Sequence, residues 1–112
     1  MRTPSAPDER DPRRRRIAEH FAAIATSIEA DRPDAFLMEV LAQTQALCEE
    51  AIAHEPRADA KTLAGNVQLA VRTWQQVWPR LGSQGPFRQA VVREARMWSK
   101  RFLEGTARRA AS

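Results

Sequence analysis

Apolar residues recur every three or four positions through most of the chain, the spacing that lines one face of an α-helix. The strongest run covers residues 59–81, where Leu63, Val67, Ala70, Trp74, Val77, Trp78 and Leu81 form one stripe. Trp74 and Trp78 stand one turn apart on it, so a single patch carries two very large side chains that the rest of the chain must cover. Ile17, Phe21, Ile24 and Ile28 make a second stripe, in a helix from Asp11 to about Ala30. A third stripe holds Leu37, Val40, Leu41, Thr44, Leu47, Cys48, Ala51 and Ile52, with Phe36 widening it and Met38 standing off it. That helix should stop near His54, because Pro56 disfavours helical geometry at Glu55. The fourth stripe follows Pro86 and holds Phe87, Val91, Ala95, Trp98 and Phe102, flanked by Val92 and Leu103, with Met97 on its shoulder.

Punctuation sits where the stripes break. Asp11 and Pro12 read as the N-cap and first turn of helix one. Asp31 reads as the cap of helix two, with Pro33 in its first turn and Asp34 placing an acid at the positive end of the dipole. Helix three is entered through Pro56 or capped by Asp59. Gly65 is its weak point, predicting either a close backbone neighbour or a true start nearer Asn66. Pro79 is expected to bar easy helical continuation past Trp78, leaving turn residues up to Gly85. Connections this short favour antiparallel neighbours. The predicted fold is all-α, an antiparallel up-down four-helix bundle forming one domain over residues 11–106. A disordered, mobile N-terminal arm over 1–10 and a frayed tail over 107–112 complete the expectation.

Composition agrees with that class. Apolar residues are 43% and charged residues 29% of 112, the balance of a single soluble domain able to build a core without staples. Ala is abundant and Tyr absent, which disfavours strands. The lone Cys48 cannot close an internal disulfide, and the opening segment lacks the apolar core of a secretory signal, so the expected compartment is the cytoplasm. No apolar run approaches the roughly 20 residues needed to span a bilayer. The net charge of +4 is unevenly spread, at +3 over residues 1–16, −6 over 17–57 and +7 over 58–112. Such polarity serves either to pair the helices of the bundle with one another or to meet an anionic partner such as nucleic acid.

No stretch specifies a chemistry. Glu50 and His54, spaced i, i+4, offer two metal ligands where a bundle site needs several. His20 has no nucleophile to serve, Cys48 lies on a core stripe, and phosphate loops, nucleophile elbows and paired-cysteine motifs are missing. No catalytic, cofactor-binding or metal residue is assigned, no cofactor is expected, and the reading leans away from an enzyme. Candidate phosphate contacts are Arg13, Arg14, Arg15 and Arg16 in the first turns of helix one, and Arg93, Arg96 and Lys100 along one side of helix four, with Arg88, Arg101, Arg108 and Arg109 extending the field. The helix-four stripe has two other uses, solvation or pairing with Glu39, Glu49 and Glu50 of helix two. Candidate protein-interface residues are Phe36, Met38, Leu69 and Val92, apolar groups beyond what one core face requires, near a low-charge side of helix three (Asn66, Gln68, Thr73, Gln75, Gln76) that has Arg72 amid it. A wide core would explain the same surplus. The expected function is a non-enzymatic protein-protein interaction or oligomerisation module, self-associating. The alternative is a basic accessory subunit that binds nucleic-acid phosphates without sequence specificity.

Overall fold

A computed structural model of the chain describes residues 10–55 and 57–111, without the side chains of Arg10, Asp11, Asp59 and residues 105–111. Four helices follow in order: α1 (Arg10–Glu29), α2 (Asp34–His54), α3 (Ala58–Leu81) and α4 (Gly85–Ala111). Among the described residues there is no strand. The helices run up and down as an antiparallel bundle measuring 53 × 24 × 19 Å. Helix α1 packs along α4 and α2, α2 packs along α3, and α3 and α4 approach each other at few points. Helices α2 and α4 therefore lie on a diagonal. The expected mobile arm, Arg10's backbone excepted, and the side chains of the expected tail fall outside the described residues.

Phe21, fully buried, stands at the centre. Its ring meets Trp74 edge-on at 6.2 Å and stacks on Phe102 at 6.3 Å, so α1 supplies the ring through which α3 and α4 communicate. Aromatic pairs of this geometry add about 0.5–1.5 kcal/mol each beyond the area they bury. Around it close Ile17, Ile24, Leu41, Cys48, Val67, Val71, Val91 and Ala95. Buried hydroxyls are satisfied locally or across the seam. Thr44 donates to the Val40 carbonyl at 2.8 Å, Ser27 to Ala23 at 2.7 Å, and Ser99 of α4 to Ala18 of α1 at 2.8 Å.

Several boundaries differ from the sequence expectation, each for a local reason. Asp11 does not cap α1 but lies inside the helix, which is described from Arg10. Asp31 does not cap α2. It sits left-handed at φ 56° and closes α1, with its own N–H donating to Ile28 and that of Arg32 to Ser27, the paired bonds of a Schellman ending in which Asp takes the place usual for Gly. Pro33 occupies the N-cap position of α2. Arg57, not Asp59, holds that position for α3. Helix α2 ends at His54 with Glu55 extended, as Pro56 dictates. Pro79 does not end α3. The helix runs through it to Leu81, and the Gly82 N–H donates back to Trp78 at 2.8 Å; a proline this close to the end forfeits one hydrogen bond without breaking the last turn.

The two interior glycines play opposite parts. Gly65 lies inside α3 with no heavy atom within 4 Å of where a Cβ would stand, so no close neighbour demands it. At Gly82 a Cβ would meet the Trp78 indole at 2.6 Å. Gly65→Ala is expected to raise stability by about 1 kcal/mol through helix propensity, and Gly82→Ala to lower it by about 1–3 kcal/mol through overpacking. Urea midpoints shifting in these opposite directions check the account; a gain at Gly82 would contradict it.

Candidate functional site

The cations read from the sequence do not form one field. Arg88, grouped there with the phosphate candidates, is tied into the end of the bundle. One Nη donates to the Gly82 carbonyl at 2.8 Å, the other to the Ile28 carbonyl and to Asp31 Oδ1, both at 3.1 Å. Its guanidinium lies 5.5 Å from the Trp78 ring centre. It thus meets the carbonyl ends of both α1 and α3, where the dipoles favour a cation.

Arg93, Arg96 and Lys100 are all exposed on α4. Arg96 pairs with Glu29 of α1, and Lys100 lies 3.9 Å from Glu104 of its own helix. Arg93 has no ion pair among the described residues. It borders a cleft of about 340 Å³ between α1 and α4, with Ile28 and Val92 as apolar lining and Glu29, Arg88 and Gln89 around it. The acids of α2 take no part, because α2 stands diagonal to α4; Glu49 instead accepts bonds from Gln45 and from Gln68 of α3. In α1, Arg15 and Arg16 are exposed, whereas Arg13 and Arg14 are half-buried and the Arg14 guanidinium lies 5.2 Å from the Phe102 ring centre.

The titratable candidates stay apart. Among the described residues no three His, Cys, Asp or Glu side chains gather as a metal site would require. Glu50 and His54 are exposed at the end of α2, and His20 Nδ1 meets the Arg16 carbonyl one turn back at 2.9 Å. Burial pushes the Cys48 thiol up to about 12, with the charge of Glu49 adding to the effect. A thiol so placed stays protonated and unreactive. No described helix is long and apolar enough to cross a membrane.

The apolar candidates divide. Met38 and Val92 are half-buried against the core, as are Leu63, Ala70, Phe87 and Trp98. Phe36 is exposed beneath the Arg32 guanidinium, 4.3 Å from its ring centre. Leu69 stands out furthest, with 60% of its surface in water, and Met97 and Leu103 follow at 45% each. A further apolar feature is the seam between α3 and α4. Helix α3 buries Ala64, Val67, Val71, Trp74 and Trp78, which leaves Leu63, Ala70, Val77 and Leu81 of the sequence stripe only half-buried. Facing them, Phe87, Ala90 and Trp98 of α4 are half-buried too. The Trp78–Phe87 contact, 5.7 Å between ring centres, sets the antiparallel register, and carrying it along both helices puts Leu69 and Met97 at about the same height. Periodicity had marked Met97 only as a shoulder; its steps from Ala90, Glu94 and Arg101 were the signal that it belongs to a second stripe.

No family model, curated protein or solved structure matches the chain. What the site can do therefore rests on its own geometry.

The shifted thiol makes a pH prediction. In the folded protein Cys48 keeps its proton to about pH 12, whereas in the unfolded chain it ionises near its ordinary 9.0. Its contribution is then fully present below pH 9 and is lost as pH rises from there toward 12, because the unfolded state binds fewer protons in that window. The chain has no Tyr to titrate there. Urea stability measured across that range should fall less steeply for Cys48→Ala than for the natural chain; equal slopes would contradict the shift.

Proposed function

We propose that this protein is a non-enzymatic helical-bundle interaction module that associates through the outer edge of α3 and α4. One observation carries the reading: the seam between these two helices is lined by half-buried Ala70, Val77, Leu81, Phe87 and Trp98 and bordered by exposed Leu69 and Met97, although α3 and α4 are joined by a short turn and touch little. The other adjacent helix pairs pack more closely along their length, apart from the cleft between α1 and α4. An apolar edge of this kind is the ordinary starting surface for helix docking. The outer side of α3, with Asn66, Thr73 and Gln76 exposed around Leu69 and Arg72 as the charge among them, supports the same reading. Phe36 is not on this edge, and Met38 and Val92 are half-buried against the core, Val92 at the α1–α4 cleft.

Phosphate binding has less support. Two of the three α4 cations already have carboxylate partners, and a third cation, Arg88, is engaged by backbone carbonyls. An affinity for generic DNA or RNA that falls steeply with salt would favour that alternative.

Light scattering at tens of micromolar is expected to return a mass above the 12.7 kDa of one chain. Leu69→Asp, at an exposed position, should bring it back to a monomer while leaving helicity and melting unchanged. A natural chain that stays monomeric, or an assembly indifferent to Leu69→Asp, contradicts the proposal.

A further inference from the structure

We infer that the occupant of the open α3–α4 edge is a second copy of this chain, held by a two-fold, antiparallel contact between the two α4 helices centred between Met97 and Trp98. The inference rests on the reading of that edge as an interface and adds the partner and its register.

Away from the core, α4 carries a second stripe of Ala90, Glu94, Met97 and Arg101 at steps of four, three and four, the spacing of a helix–helix seam. Ala90 is half-buried and the other three are exposed. The stripe points outward on the side of α4 that adjoins α3. The opposite flank of α4 adjoins α1, where Ser99 bonds Ala18 and Arg96 meets Glu29.

In a two-fold contact between antiparallel helices, residues equally far from the axis face each other, and every pairing occurs twice. Glu94 stands three residues before Met97 and Arg101 three residues after Trp98. Each Glu94 then faces the partner's Arg101. Neither Glu94 nor Arg101 has an ion pair among the described residues of one copy; Arg101 lies over the Trp98 ring, 5.5 Å from its centre. A parallel arrangement would instead set Glu94 against Glu94 and Arg101 against Arg101. The charge pattern is self-complementary in the antiparallel sense alone, and this favours a second copy over an unrelated partner. Met97, unbranched and adaptable, fills the axis, and small Ala90 lets the backbones approach two turns away. Arg96 lies toward α1 with Glu29 and stays clear of the contact. Leu69 of α3 flanks it.

The test uses two charge reversals and their mixture. Glu94→Arg alone places two Arg–Arg oppositions in every dimer, and Arg101→Glu alone places two Glu–Glu oppositions; each should weaken dimerisation by about tenfold or more. Mixed in equal amounts, the two variants form a heterodimer in which both oppositions become Arg–Glu pairs, and its affinity should return to within a few-fold of the natural chain. Sedimentation velocity reads all three, with circular dichroism confirming unchanged helicity of these surface variants. If the natural chain dimerises but the reversals leave affinity unchanged, or the mixture fails to recover, the α4 register is wrong while the interface reading stands on its Leu69→Asp result. A monomeric natural chain overturns both.

Discussion

Trp78 needs two things at once, its ring out of water and its Nε1–H paired, and the end of the bundle where α1 and α3 finish is built to supply both. The N–H donates to Asp34 at the start of α2, at 3.1 Å. Phe87 at the start of α4 packs on the ring, Arg88 lies against it, and Gly82 leaves it room. Arg88 then gathers the Ile28 and Gly82 carbonyls, joining the ends of α1 and α3. Every helix reaches this cluster, so one indole and one guanidinium set how the four ends meet.

Large rings also have a consequence for shape. With Phe21 reaching both Trp74 and Phe102 and Trp78 against Phe87, the space between α3 and α4 is bridged by side chains while the backbones stay apart. The best-buried face of α3 carries Val67 and Val71, which leaves Ala70 and Val77 toward the seam. The edge that carries the functional proposal is thus a by-product of how the core is filled. Its outer margin on α4 bears charges of both signs in a self-complementary order, which a solvated face has no need of.

Much of this was legible in the chain. Four apolar stripes located four helices, the proline after Glu55 located the end of α2, and both core tryptophans of α3 were recognisable from spacing alone. What periodicity cannot supply is which neighbour a face meets. Arg88 looked like one more surface cation because its acceptors, Ile28, Asp31 and Gly82, belong to other segments, two of them far away in sequence. The acidic first half and basic second half suggested pairing of α2 with α4, yet the up-down order sets those helices on a diagonal and gives Arg96 to Glu29 of α1 instead. Asp31 was misassigned because a short polar residue serves a helix start and a left-handed helix end equally well. The interface residues Phe36, Met38, Leu69 and Val92 were singled out for being surplus; surplus marks an amphipathic excess without saying whether it is spent on a wide core, as at Met38 and Val92, or left in water, as at Leu69.

The proposed meeting place of two copies of this chain is the outer edge of α3 and α4. Thiol cross-linking tests it most directly, since native Cys48 is buried and leaves an introduced cysteine as the one accessible thiol. Met97→Cys treated with a short bis-maleimide should give a covalent dimer rapidly, and far faster than Thr26→Cys on the exposed outer face of α1. Equal rates at the two positions, or no dimer at Met97→Cys, would contradict the account.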